Sequence, residues 1–100
     1  MKIKNYELLE QKVFANDGMR SYKISVPYVV LVSESNDIMV GTVEKYVEKG
    51  DSDLVIEIHS SVTENIETVF VEFQSVAIKN GFCSQLSSIM QQKRDLESIK

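Results

Sequence analysis

The sequence predicts a mainly β fold, α+β by element count: an antiparallel curved sheet or small barrel with one C-terminal amphipathic helix. Three observations predict it. Apolar and polar residues alternate with period two through the middle of the chain. Polar turn clusters interrupt that alternation at short intervals. After Asn80-Gly81 the apolar spacing changes from two to three and four.

The clearest strand is Asp53 to Ser60. Leu54, Ile56 and Ile58 fall on one face, and Val55, Glu57 and His59 on the other. Glu67 to Phe73 repeats the pattern with Val69, Val71 and Phe73. The polar stretch from Ser61 to Ile66 joins them as a hairpin loop. Upstream, Tyr28 to Ser33 is Val-rich and ends in Ser33-Glu34-Ser35-Asn36-Asp37. Ile38 to Val47 follows and ends at Lys49-Gly50-Asp51. Gly41 inside that strand predicts a bend, a bulge or a close backbone approach. The stutter at Gln74-Ser75 reads as a tight turn before a last small strand at Val76 and Ile78.

Residues 1–27 have two readings. Asn16-Asp17-Gly18 favours a hairpin turn, with Gly18 supplying positive φ. The competing reading is a helix from Asn5 to Asn16 with Tyr6, Leu9 and Val13 as its stripe. In the hairpin reading Pro27 is expected to separate the hairpin from the next strand, because it lacks a ladder N–H. At the other end, residues 82–98 read as the helix. Phe82, Leu86, Ile89 and Leu96 form its stripe, Ser84 is the candidate N-cap, and Lys93 sits in the seam. The division is therefore one domain over 1–100, with a β core at 28–78.

The chain has 100 residues, 11 basic and 15 acidic, for a net charge of −4. Charge is uneven: residues 28–78 hold two basic and ten acidic side chains between mildly basic ends. Phosphate surfaces need clustered Lys and Arg, so the middle segment is a poor nucleic-acid face. One Cys rules out an intramolecular disulfide and any zinc site with several thiolates. The N-terminus shows no signal-peptide pattern, and the longest apolar run, Tyr28 to Val32, is far short of a membrane span. These features lead us to expect a small protein of the cytoplasm, not bound to membrane.

Tyr28 to Ile78 resembles the small SH3-like and Sm-like barrels. The resemblance rests on a Val-rich strand, a polar turn, the stretch IMVGTVEKYVEKGDSDLVIEI with Gly41-Thr42-Val43 at the bend, and TVFVEFQSVAIKNG. It implies a ring-forming nucleic-acid binder, for which Lys2, Lys4, Arg20 and Lys23 are the available basic patch. No RNA-contacting residues carry over, because no basic or aromatic motif stands at the matching loops. Asp53 to Phe82 is also similar to the later strands of SecB-type export chaperones, which implies binding of unfolded chains.

Catalytic chemistry is thinly represented. Glu57 and His59 share a strand face, but no second His or nearby nucleophile supports an acid–base or metal pair. Cys83 lies near a helix start, yet a small buried apolar role is the more ordinary one. Glu48, Asp51 and Asp53 cluster around one turn without the spacing of a calcium loop. No phosphate-binding glycine motif is present. The informative feature is the strand Tyr28 to Val32, apolar on both faces, which needs either a helix or a partner to cover it. The expectation is a non-catalytic interaction or regulatory protein with no cofactor and no metal, of a kind that phages or mobile elements carry. Its partner is a protein or a second copy of the chain. The candidate partner-binding residues are Val29, Leu31, Glu48, Asp51 and Asp53.

Overall fold

The computed structural model describes residues 1–18 and 20–98; the side chains of 15–17, 20–22 and 92–98 are outside that description. Five strands form one antiparallel sheet in the order β1-β2-β3-β4-β5, each pairing with the next in sequence. They are β1 (Ile3–Asp17), β2 (Arg20–Ser33), β3 (Ile38–Glu48), β4 (Asp53–Ser60) and β5 (Ile66–Glu72). A single helix, α1 (Val76–Ser98), follows and packs on one face, chiefly against β2. The sheet curves until Lys2 bridges Glu72 in parallel and the Glu72 N–H donates to the Met1 carbonyl at 2.9 Å. It does not close into a barrel, so the open curved sheet is the expected alternative that the chain adopts.

The N-terminal quarter is the hairpin. β1 and β2 pair from Ile3↔Ser33 to Asp17↔Arg20, and Gly18 takes φ +63° in the connection. Pro27 does not divide this hairpin from a separate strand, as expected from sequence, but lies inside a continuous β2 opposite Glu10. The reason is orientation. Ser33 donates its N–H to Asp37 on the β3 side, and the direction alternates along a strand. Leu31, Val29 and Pro27 therefore turn their nitrogens the same way, and β3 pairing stops at Tyr28↔Thr42. The missing N–H falls where β2 has no neighbour.

Gly41 fulfils its expected role as a close approach. A Cβ there would stand 2.3 Å from the His59 carbonyl oxygen and 2.6 Å from an Ile58 methyl. Two residues later, between Val43 and Lys45, the β3–β4 register shifts and the strand bends.

The helix starts earlier than its apolar spacing indicated. Val76 and Ile78 are not a last strand; they are exposed residues of the first helical turn. Ser75 is the N-cap: its Oγ accepts the Ile78 N–H at 3.1 Å and its carbonyl accepts the Lys79 N–H. Ser84 accordingly lies within the helix. Phe82, Leu86 and Ile89 are buried on the sheet; Lys93 and Leu96 lie outside the described side chains. The core joins that stripe to Ile3, Val29, Leu31, Val43, Leu54, Ile56, Ile58, Val71 and Phe73. Phe82 is central to it, with its ring 5.0 Å from Tyr6 and 5.1 Å from Phe73.

The two glycines in regular elements give opposite expectations. Gly81 is helical with open space around its Cβ position, so Gly81→Ala raises stability by about 0.5–1 kcal/mol in urea unfolding. Gly41→Ala forces backbone apart and destabilises by about 3 kcal/mol, the upper part of the overpacking range. A stability gain at Gly41 would contradict the close approach.

Candidate functional site

The five residues expected to bind a partner are not brought together. Val29 and Leu31 are fully buried under α1. The apolar strand does have two apolar faces, but these two belong to the covered one, and no partner reaches them in the folded chain. The side left open carries Tyr28, Val30 and Val32, all half-buried. The acidic turn also divides. Glu48 is in register with the core residue Leu54, which turns it to the helix side. Asp53 pairs in register with Glu72 at a corner of the opposite face. Asp51 is exposed between them. Among the described residues, no group of three or more His, Cys, Asp or Glu could hold a metal ion.

Glu48 meets a residue that sequence reasoning missed. Lys79 occupies the helix stripe three residues before Phe82, and its Nζ donates to Glu48 Oε1 at 2.8 Å. The lysine side chain is 7% exposed and the carboxylate 57%, so the pair straddles the edge of the core. The hydrogen bond to Glu48 holds the ammonium above its usual pKa of 10.5; burial pulls the other way, and Asp51 adds to the rise. The spacing 79, 82, 86 and 89 would have exposed this lysine had the helix start been placed at Val76.

The remaining candidates settle into local roles. Burial pushes the Cys83 thiol above its usual 9.0, Glu48 adds to the rise, and Lys79 opposes it. A thiol shifted upward is poorly ionised near neutral pH. His59 is exposed, with Nε2 3.1 Å from the Glu64 carbonyl oxygen at the β4–β5 turn. The Glu57 carboxylate pairs with Lys45 at 2.9 Å. The basic residues do not converge. Lys4 bonds Asn36 near the start of β1, while Lys23 lies 5.5 Å over Phe14. Lys4 and Phe14 are ten residues apart on one strand, about 33 Å. The Arg20 side chain lies outside the described residues.

The sheet face away from α1 keeps two groups of apolar residues open. Register places Val32 with Ile38, Val30 with Val40, and Phe70 with Val55, which in turn pairs with Val47. Ile38 is 64% exposed and Phe70 45%. Between these apolar rows runs the Lys45–Glu57 pair. Glu7, Asp53 and Glu72 take the margins. No helix of the described residues is long and apolar enough to cross a membrane. Comparison with family models, curated proteins and solved structures found no match to this chain.

The Lys79–Glu48 pair sets a stability prediction. A lysine pKa raised by folding contributes stability that is complete below the unfolded value and lost as pH rises through the folded one. Urea midpoints should therefore show wild type losing stability relative to Lys79→Met only above about pH 10.5. At neutral pH, Glu48→Ala destabilises more than Lys79→Met, because it leaves the buried ammonium unpaired. For Cys83, iodoacetamide alkylation of the native protein at pH 7 runs slower than that of the urea-unfolded chain. An equal or faster native rate would show an activated thiol.

Proposed function

We propose that this chain is a small, non-catalytic cytoplasmic protein that binds other proteins through the sheet face opposite α1. One observation carries the reading: that face keeps apolar rows at Val30, Val32, Ile38, Val40, Val47, Val55 and Phe70 although no described element covers it. A sheet with one solvated face ordinarily turns polar residues outward. Exposed apolar groups rimmed by polar residues mark interaction sites. The acidic margin at Glu7, Asp53 and Glu72 favours a partner segment with apolar side chains flanked by Lys or Arg. The raised thiol of Cys83 and the isolated His59 give no arrangement of nucleophile and base.

A second reading uses the same face less selectively, as a holdase for unfolded chains in the manner of the SecB resemblance. The two differ in selectivity, and one experiment separates them. Displayed random peptides selected on the wild-type protein should yield apolar sequences with basic flanks. Phe70→Lys and Ile38→Lys, both at exposed positions, should weaken the best peptide at least about tenfold, or ~1.4 kcal/mol. Indifference to both substitutions would sink the proposal. Enrichment of any apolar peptide, together with suppression of a model protein's aggregation, would favour the holdase. Salt-sensitive binding of RNA in place of peptide would favour the Sm-like reading.

A further inference from the structure

The face described above is not the only open feature. β1 is an edge strand whose outer side has no backbone partner among the described residues beyond Lys2. It is 15 residues long and runs nearly the full 46 Å of the molecule. Natural edges of this length are usually protected by proline, bulges or charged side chains, and the charges next to the middle of this edge, Glu10 and Lys12, are of opposite sign. Here the register shift at Ile3/Asn5 is confined to the start, and no irregularity interrupts the rest. Leu9 and Phe14 are 52% and 75% exposed along it.

The direction of the free groups follows from β2. Since Pro27, Val29 and Leu31 turn away from β1, Val26, Tyr28 and Val30 turn toward it. Their partners Gln11, Leu9 and Glu7 therefore bond inward. Leu8, Glu10, Lys12 and Phe14 present their N–H and C=O groups outward.

We infer that this edge pairs with the same edge of a second copy, antiparallel, with the two-fold axis at Gln11. The sequence of the edge selects that register. A two-fold normal to the sheet keeps each side chain on its own face, so only residues of like parity can stand opposite each other. Centring on Gln11 sets Glu10 opposite Lys12 twice, Leu9 opposite Val13 twice, and Leu8 opposite Phe14 twice. Neighbouring centres fail. Glu7, Glu10 and Lys12 as centres place a charge against itself. Leu8 sets Lys4 against Lys12. Leu9 and Val13 set a charged residue against an apolar one in the pair next to the axis, whereas the Gln11 register does so only in its fourth pair, Glu7 with Ala15. In the Gln11 register the outward-bonding residues Leu8, Glu10, Lys12 and Phe14 face one another, each pair exchanging two backbone bonds. Glu10 and Lys12 already lie 3.3 Å apart within one chain, at 34% and 55% side-chain exposure; the Lys12 ammonium also donates to Ser25 Oγ at 2.7 Å and has a third N–H for the facing Glu10.

Space allows the union. Each helix sits mainly on β2, and three strand spacings separate the two β2 strands, about 14 Å. Packed helices need only about 8–10 Å. The product is one continuous sheet of two chains, independent of the peptide-binding face, because it uses the strand edge.

The test is mass in solution by sedimentation, with urea unfolding to show that each variant folds. Wild type should sediment at twice 11.4 kDa. Glu10→Lys and Lys12→Glu should each sediment as folded monomers, and an equimolar mixture of the two should recover the dimer. In a Cys83→Ser background, Gln11→Cys lies on the axis at a separation of about 4.5 Å between Cα atoms, within disulfide range, and oxidises to a covalent dimer. A wild-type monomer at several hundred micromolar overturns the inference. So does a dimer indifferent to both charge reversals, or one that Gln11→Cys does not cross-link. Peptide binding by the folded monomeric variants reads the other surface separately.

Discussion

The fold depends on the ring of Phe82. It is fully buried, edge-on to Tyr6 of β1 and tilted against Phe73 just after β5. A meander by itself gives no contact between its first and last strands. Here one helix residue touches Tyr6 of the first strand and Phe73, the residue that follows the last, and Tyr6 and Phe73 meet at 6.0 Å. That cluster lies beside the point where Lys2 bridges Glu72. Burial of three aromatic groups at this junction supplies part of the apolar surface that opposes the entropy of ordering the curve.

The remaining features follow from placing a single helix on that curve. One helix covers only one face of a five-stranded sheet, and α1 lies chiefly along β2. Val29 and Leu31 become interior while Val30 and Val32, their neighbours on the same strand, stay half open. The opposite face keeps its apolar rows without cover. β1, at the end of the meander, keeps its outer edge. Both open surfaces therefore come from the same economy of elements, and neither requires a loop or pocket. Lys79 marks where the helix stripe reaches the margin of the core: its stem is buried, and its ammonium meets a carboxylate that is itself half in water.

Much of this was legible in residue order. The β4 boundaries, the β3 and β5 strands, the hairpin turn at Gly18 and the tight contact at Gly41 follow from alternation and glycine chemistry. The start of α1 was not legible, because Val76 and Ile78 mimic alternation over too short a span. Only the Ser75 hydroxyl bonded to the Ile78 N–H identifies the cap. Pro27 misled for a related reason. A proline breaks a ladder only if its nitrogen faces a neighbour, and residue order does not say which way it faces.

Sequence by itself determined the local pieces: the extended stretches from Tyr28 to Phe73, the turn that needs Gly18, and a helix with one apolar stripe. These depend on neighbours within a few residues, which the chain order fixes. Tertiary structure decided which face of β2 is interior, which carboxylate meets Lys79, and which strand is left at the edge. Those outcomes depend on the strand to which α1 docks. The docking position is set by Phe82 packing against Tyr6 and Phe73, residues far apart in the chain whose proximity no local pattern encodes.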